Sequence, residues 1–320
     1  MDVDPGPDPH PDQARTAWVI GGGGLLGSAV CRRLRALGRE PRTTIVPWED
    51  RDNAVTALLA AVEGLAGALE VYWCAGAGVV ATSEEDLAVE MAILEQFLER
   101  WQPDGRHRHG FFLASSAGGV YAGARGGPFT EHTEPAPLSP YGHAKLRTEV
   151  IATEFAQRTG TALLVGRLAN LYGPGQDLSK PQGLVSALCR AQLSRQPISV
   201  YVSLDTRRDY LFVDDAAAMV VAATGQVTDH GVRALKVIAS ERSTTVGAVL
   251  GDLHRITRRR PPIVLGTSPQ SGFQVRDLRL RSVAWPHTSA LARTPLSAGI
   301  AATLRSTGSQ IVPVLPRWPT

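Results

Sequence analysis

The 320-residue chain is poor in cysteine and lysine and has no long apolar run. Its three cysteines, Cys31, Cys74 and Cys189, are too few and too scattered for a disulfide framework or a Cys-x-x-Cys zinc site. The thiols are therefore expected to be reduced, in a cytoplasm. No segment approaches the roughly 18 to 20 continuous apolar residues that span a bilayer; the nearest candidate is the short run at 216–223, and no membrane association is expected. The opening MDVDPGPDPHPDQAR is rich in Pro and Asp without an apolar core. Residues 1–15 thus read as a disordered tail, neither signal peptide nor anchor. No period of 20 to 50 residues repeats, which excludes solenoids and propellers. Lysine occurs only at Lys145, Lys180 and Lys236, against thirty arginines. Apart from Arg258 to Arg260 the arginines are dispersed, so a nucleic-acid partner is not expected.

With 43% hydrophobic and 20% charged residues the chain can build an ordinary core. Its length suits two compact units, or one large α/β domain with an appended lobe. A short β-type run at 17–20 enters GGGGLLG and continues as a helical pattern ending at Gly38. Gly21, Gly24 and Gly27 stand at G-x-x-G-x-x-G spacing. The first glycine permits a tight turn, the second a close approach to a pyrophosphate, and the third helix-on-strand packing. The diphosphate would sit at the helix N-terminus, where free N–H groups favour anions. Alternation continues with a strand over 43–46, a helix over 53–65, a strand over 70–74, a helix over 84–100 and a strand over 110–114. That order predicts a parallel, doubly wound sheet of Rossmann type. A dinucleotide site usually carries an acid at the end of its second strand. Here that strand runs into Pro47 and Trp48; Glu49 and Asp50 come late, and Arg51 is an alternative partner for a 2′-phosphate, so NAD and NADP both stay open.

The chemistry concentrates between Ser115 and Lys145. In YGHAKLRTEV, Tyr141 and Lys145 lie four apart on one helix face. Chance supplies such a pair only about 0.06 times in a chain with these tyrosine and lysine counts. An ammonium beside a phenol favours the phenolate, which makes Tyr141 a candidate proton donor and acceptor. In a chain that otherwise relies on arginine, Lys145 suggests a compact ammonium placed to hydrogen-bond a ribose. RHRH at 106–109 lacks a third ligand nearby, so no metal is expected. Asp209, Asp214 and Asp215 read as helix caps, His143 as solvated, and Cys74 as a small buried hydrophobe.

These residues resemble the extended short-chain dehydrogenases/reductases, the nucleotide-sugar epimerase/dehydratase/reductase family. The resemblance runs through IGGGGLLG, SSAGGVY, SPYGHAK, RLANLYGPG and RRDYLFVDDAA to the late KVIASERSTTVGAVL and VRDLRLRS. It implies a nucleotide-binding Rossmann domain over 16–176, to which 203–239 return, and a smaller substrate-binding lobe from 177–202 and 240–320. It implies that Tyr141 is the catalytic acid/base and that Lys145 modulates it and holds the nicotinamide ribose. Leu25, Leu26, Cys74, Ala75 and Ser115 would join Gly21, Gly24 and Gly27 along the cofactor, with Leu168 on the nicotinamide face. Asn170 and Arg208 would hold the substrate diphosphate, with Arg276 as a second clamp. It also implies a homodimer packed through the helices over 84–100 and 141–157.

Three departures refine the expectation. The catalytic Ser or Thr of the family falls here on Ala117, leaving Ser116 as the neighbour able to substitute. The acidic pair that dehydratases need falls on Gly118 and Gly119, which argues against dehydration. A strand with its adenine-contacting acid is missing between Trp48 and Glu70, so the cofactor grip should be weaker. Weak retention suits a reductase, which exchanges cofactor every turnover, with NADPH slightly favoured over NADH. The expected function is therefore reduction of a keto group, at C4, of a nucleotide-linked sugar. A 4-epimerase with bound NAD is the first alternative, and a non-catalytic NAD(P)-sensing module the second.

Overall fold

The computed structural model describes residues 15–76, 78, 82–178, 183–266 and 276–311. Strand β1 (Thr16–Ile20) turns at the glycines into α1 (Leu25–Ala36), followed by β2 (Arg42–Thr43), α2 (Arg51–Glu63), β3 (Leu69–Trp73), α3 (Glu84–Arg100) and β4 (Gly110–Ser116). A one-turn α4 (Ala117–Val120) leads to the long α5 (Pro140–Thr159) and to β5 (Ala162–Leu168). Then come β6 (Asn170–Tyr172), α6 (Leu184–Ser194), β7 (Ile198–Val200), β8 (Arg207–Phe212), α7 (Val213–His230) and β9 (Arg233–Ile238). The chain closes with β10 (Ser243–Thr245), α8 (Val246–Thr257), β11 (Ile263–Leu265), α9 (Pro286–Ser289) and α10 (Leu296–Ile311).

Six parallel strands form the main sheet in the order β2-β1-β3-β4-β5-β9. Both of its faces are covered, as an all-parallel sheet requires. Val19, Tyr72, Phe112 and Leu164 point into a core shared with α1 and α7. Trp18, Val71, Phe111 and Val165 point into the opposite core, where Phe97 of α3 and Phe155 of α5 meet Trp73 and Trp101. Each such aromatic or aliphatic side chain contributes roughly 1.5–3 kcal/mol by burial. Chain order reverses between β1 and β3, which opens a crevice at the carboxyl ends of the strands.

The second strand is shorter than the β-branched Thr43 to Val46 suggests. Among the described residues β2 is the sheet edge with no outer strand to pair with, and it ends at Thr43. The chain passes from β2 through α2 directly into β3, so the outer strand expected to be missing is indeed absent. The N-terminal tail lies outside the described residues except Arg15, which is ordered by ion pairs to Glu70 at 3.4 Å and Asp229 at 2.6 Å.

The remaining elements build a three-stranded sheet, β10-β8-β6, a two-stranded one, β11-β7, and a third core in which Tyr172, Leu188, Cys189, Val249, Leu253 and Ile300 gather α6, α8 and α10. The run at 216–223 is part of α7 inside the main core. Among the described residues no helix is long and apolar enough to cross a membrane.

Candidate active site

The glycine turn fits a dinucleotide diphosphate. Gly21 has φ +81°, and a Cβ there would lie 2.7 Å from the Ala75 amide nitrogen, so only glycine lets β1 and β3 exit this close together. A Cβ on Gly27 would stand 2.1 Å from the Gly21 carbonyl oxygen, which confirms its packing role. Gly24 caps α1 without a side-chain hydrogen bond, and the first turn holds no acid, so the N-terminal end of α1 keeps its affinity for an anion. Leu25 is half-buried beside it; Leu26 is buried in the core, and only its backbone is near the turn. Cys74 and Ala75 form the facing wall. Cys74 is half-buried rather than buried, and desolvation pushes its thiol pKa well up.

At the other end of the crevice α5 carries Tyr141 and Lys145. Ser139 Oγ accepts from the Gly142 N–H at 3.2 Å, Pro140 opens the first turn, and Gly160 closes the helix in the left-handed conformation. This places the Lys145 Nζ 5.7 Å from the Tyr141 ring centre. Gly119 seats the ring: a Cβ there would lie 3.0 Å from Tyr141 Cδ1 and Cε1. The two glycines that replace an acidic pair are thus unequal, because Gly118 has room for a side chain and Gly119 has none.

The two serines at the end of β4 divide. Ser115 is buried and donates to Glu149 Oε1 at 2.5 Å, so its hydroxyl is engaged within the protein. Glu149 in turn binds Arg167 through two hydrogen bonds, at 3.0 and 2.7 Å, and Arg167 donates to Tyr121 Oη at 2.8 Å. Ser116 is half-exposed, and its Oγ accepts the Gly119 N–H at 3.2 Å, which leaves its own proton available. Ala117 is fully buried.

Leu168 ends β5 at the edge of the core. Asn170 is exposed, its Oδ1 lying 3.9 Å from where a Gly118 Cβ would be. Arg208 is buried on β8 and donates to the Arg207 carbonyl at 2.8 Å; burial pushes its guanidinium pKa down. The backbone at Arg276 is tied to the same strand, its carbonyl accepting the Arg207 N–H at 2.9 Å, while its side chain stays largely exposed.

The expectation that Asp209, Asp214 and Asp215 cap helices needs correction. Asp209 caps no helix: it is fully buried, accepting the Ser240 N–H at 2.8 Å, and desolvation raises its pKa to about 6. Asp214 pairs with Arg32 at 2.6 Å, and Asp215 accepts from Thr294 N and Oγ1 ahead of α10, leaving α7 without a side-chain cap. Asp50 is engaged as the cap of α2 and Arg51 pairs with Asp52. His107 binds Asp104, holding its carboxyl down at about 2, and His109 bridges Asp104 O and the Leu69 N–H. His107 closes the loop on itself, and His109 ties it to β3.

Two groups escaped the sequence reading. One is the buried Glu149–Arg167 pair; the fourth position after Lys145 was its only signal. The other is Glu90 on α3, whose Oε1 lies 3.8 Å from Lys145 Nζ.

A crevice at a strand-order reversal, a three-glycine turn onto an uncapped helix and a tyrosine-lysine helix at its far end define a Rossmann-type dinucleotide-binding protein. Residues 17–234 match the model of the NAD dependent epimerase/dehydratase family, and the chain belongs to that family. It is 37% identical over 93 residues to the dTDP-L-rhamnose 4-epimerase of Burkholderia thailandensis, covering 29% of this chain and 26% of that protein. It is 27% identical over 217 residues to an uncharacterized UDP-glucose epimerase of Bacillus subtilis, 65% of each. The matches thus span from about a quarter to just under two thirds of these relatives' lengths. The structure of MoeE5 in complex with UDP-glucose and NAD superposes with a TM-score of 0.76 at 25% identity, over 93% of this chain and all of that one.

Proposed function

We propose that the protein is an NAD(P)-dependent oxidoreductase that reduces the C4 keto group of a nucleotide-diphosphate-linked sugar. The observation that carries this is the pairing of Tyr141 with Lys145 on α5, at the end of the crevice opposite the glycine turn. Gly21, Gly24 and Gly27 would hold the diphosphate of the cofactor, and Lys145 its nicotinamide ribose. When bound, the nicotinamide supplies or takes a hydride. Tyr141 donates its phenolic proton to the sugar oxygen as negative charge develops there, and the Lys145 ammonium stabilises the charge left on the phenol. Ser116, with a proton to donate, orients the ketone in place of the hydroxyl absent at Ala117. Arg208 and Asn170 hold the substrate diphosphate, and Arg276 adds an exposed second contact. The elements of the third core form the substrate lobe.

Reduction is favoured over epimerisation by the pared-down adenosine end. The second strand ends without an acid, and Ile45 just beyond it is 96% exposed. Such a site releases its cofactor readily, which each turnover of a reductase requires. Epimerisation is the second reading, favoured by the likeness to the dTDP-L-rhamnose 4-epimerase. UDP- and dTDP-sugars are the first substrates to test, given the ligand of MoeE5 and the names of the relatives. We also place a homodimer contact on α3 and α5, where Leu87, Met91, Leu138 and Ala144 line a groove and Val89 and Val150 are exposed. The free thiols fit a reducing cytoplasm.

The test is a thermal-shift panel with NAD, NADP, their reduced forms and UDP-, dTDP- and GDP-sugars, since a ligand of the folded state raises the midpoint. A joint response to a reduced cofactor and one nucleotide sugar supports the proposal. Silence towards every nucleotide contradicts it and leaves a binding module without turnover.

A further inference from the structure

Glu90 is set among the groups that define the nicotinamide end. Its Oε2 accepts the Gly78 N–H at 3.3 Å, and its Oε1 lies 3.8 Å from Lys145 Nζ. One glycine leaves space for this arrangement. A Cβ on Gly76, whose φ is +150°, would lie 2.9 Å from Glu90 Oε1 and 3.2 Å from Lys145 Nζ. A Cβ on Gly78 would be blocked by Leu87 Cδ2 at 2.7 Å, with Tyr141 Cδ2 and Glu90 Oε2 at ordinary contact distances of 3.5 and 3.6 Å. One carboxylate therefore spans α3, the backbone after β3 and the ammonium on α5. The side chains of Glu90 and Lys145 are only 21% and 12% exposed, so water screens the pair less than an ion pair on the open surface.

We propose that Glu90 is a positioning residue that fixes the Lys145 ammonium and the backbone at Gly78 for the nicotinamide riboside of the cofactor. This rests on the reading of the protein as an NAD(P)-dependent oxidoreductase. A lysine side chain carries about 2 kcal/mol of rotamer entropy. Tethering its ammonium to Glu90 before the cofactor arrives removes part of that cost from the binding step. Glu90 acts through Lys145 and takes no part in proton or hydride transfer.

The experiment measures the dissociation constants of NADH and NADPH by fluorescence for the wild type, Glu90→Gln, Glu90→Ala, Lys145→Met and the Glu90→Gln/Lys145→Met pair. Gln keeps an acceptor for the Gly78 N–H and loses only the charge. Expected is a weakening of about 5-fold for Gln and about 10-fold for Ala. In the Lys145→Met background Glu90→Gln should add less than about 2-fold, because the effect travels through the lysine. Should Glu90→Ala fail to fold, the cycle with Glu90→Gln decides alone. Unchanged affinity in Glu90→Gln and Glu90→Ala, or a loss that persists in full without the lysine, overturns the inference while the oxidoreductase reading stands. A wild type that binds neither reduced cofactor overturns both.

Discussion

The two ends of the crevice are built to different standards. At the nicotinamide end, Tyr141 and Lys145 stand on a helix capped at both termini, and Ser115, Glu149, Arg167 and Tyr121 lock that helix to β4 and β5 with buried hydrogen bonds. At the end proposed for the adenosine, β2 has two residues, no outer strand pairs with it among the described residues, and Ile45 just beyond it faces solvent. On the proposed function, positional accuracy is concentrated where a proton would move, and grip is reduced where only affinity is at stake. Such a division suits an enzyme that takes up and releases its cofactor every cycle.

The contrast can be broken most severely at Tyr141. Tyr141→Phe removes the proton donor and nothing else, so kcat should fall by roughly 10²- to 10⁴-fold with the NADH dissociation constant within about 2-fold of wild type. Equal losses in both would mean that the phenol binds rather than reacts. Next comes the lock beneath it. Glu149→Ala leaves the Arg167 charge buried and should cost about 3–5 kcal/mol of unfolding free energy in urea. Glu149→Met/Arg167→Met should recover most of that; a pair as unstable as the single variant would show that packing, not the uncompensated charge, is responsible.

Asp209, next to Arg208 on β8, gives a pH-dependent test on the substrate side. Burial raises its folded pKa from the ordinary 3.8 to about 6, so its protonation favours the folded state. That contribution is complete below about pH 4 and is lost as pH rises through 6. Asp209→Asn should therefore melt near wild type at pH 4 and be more stable by about 3 kcal/mol at pH 8. A uniform gain across that range would contradict the assignment. The smallest effect is expected at the adenosine end, where Ile45→Asp should tighten NAD binding by about 5-fold without helping NADP. No change in NAD affinity would mean that the short β2 does not face the ribose.

What the sequence revealed and what it hid follow from locality. The glycine turn and the α5 helix were legible because their determinants lie within a few residues: spacing, a Ser-Pro start and a terminal glycine. Asp209 is easily grouped with the aspartates of VDDAA five residues further on, whereas it lies within β8 and its burial depends on β10 pairing across that strand. The run Thr43 to Val46 was overextended because β-propensity says nothing about whether an outer neighbour exists. Glu90 and Glu149 went unseen because their partners lie on other elements, and no local pattern encodes an ion pair between α3 and α5 or between α5 and β5. Lys236 makes the same point: it is buried on β9, donating to Ser282 Oγ at 2.8 Å and Ala284 O at 2.6 Å, so a rare lysine marks burial here as well as chemistry.

The most direct measurement of the central claim follows absorbance at 340 nm as purified protein meets NADH or NADPH and a nucleotide-linked 4-keto sugar, after the cofactor content of the protein has been read from its spectrum. Expected are protein essentially free of cofactor and one reduced cofactor consumed for each keto sugar. Protein that retains NAD through purification and interconverts the C4 epimers of a nucleotide sugar, with no net consumption of reduced cofactor, would contradict it.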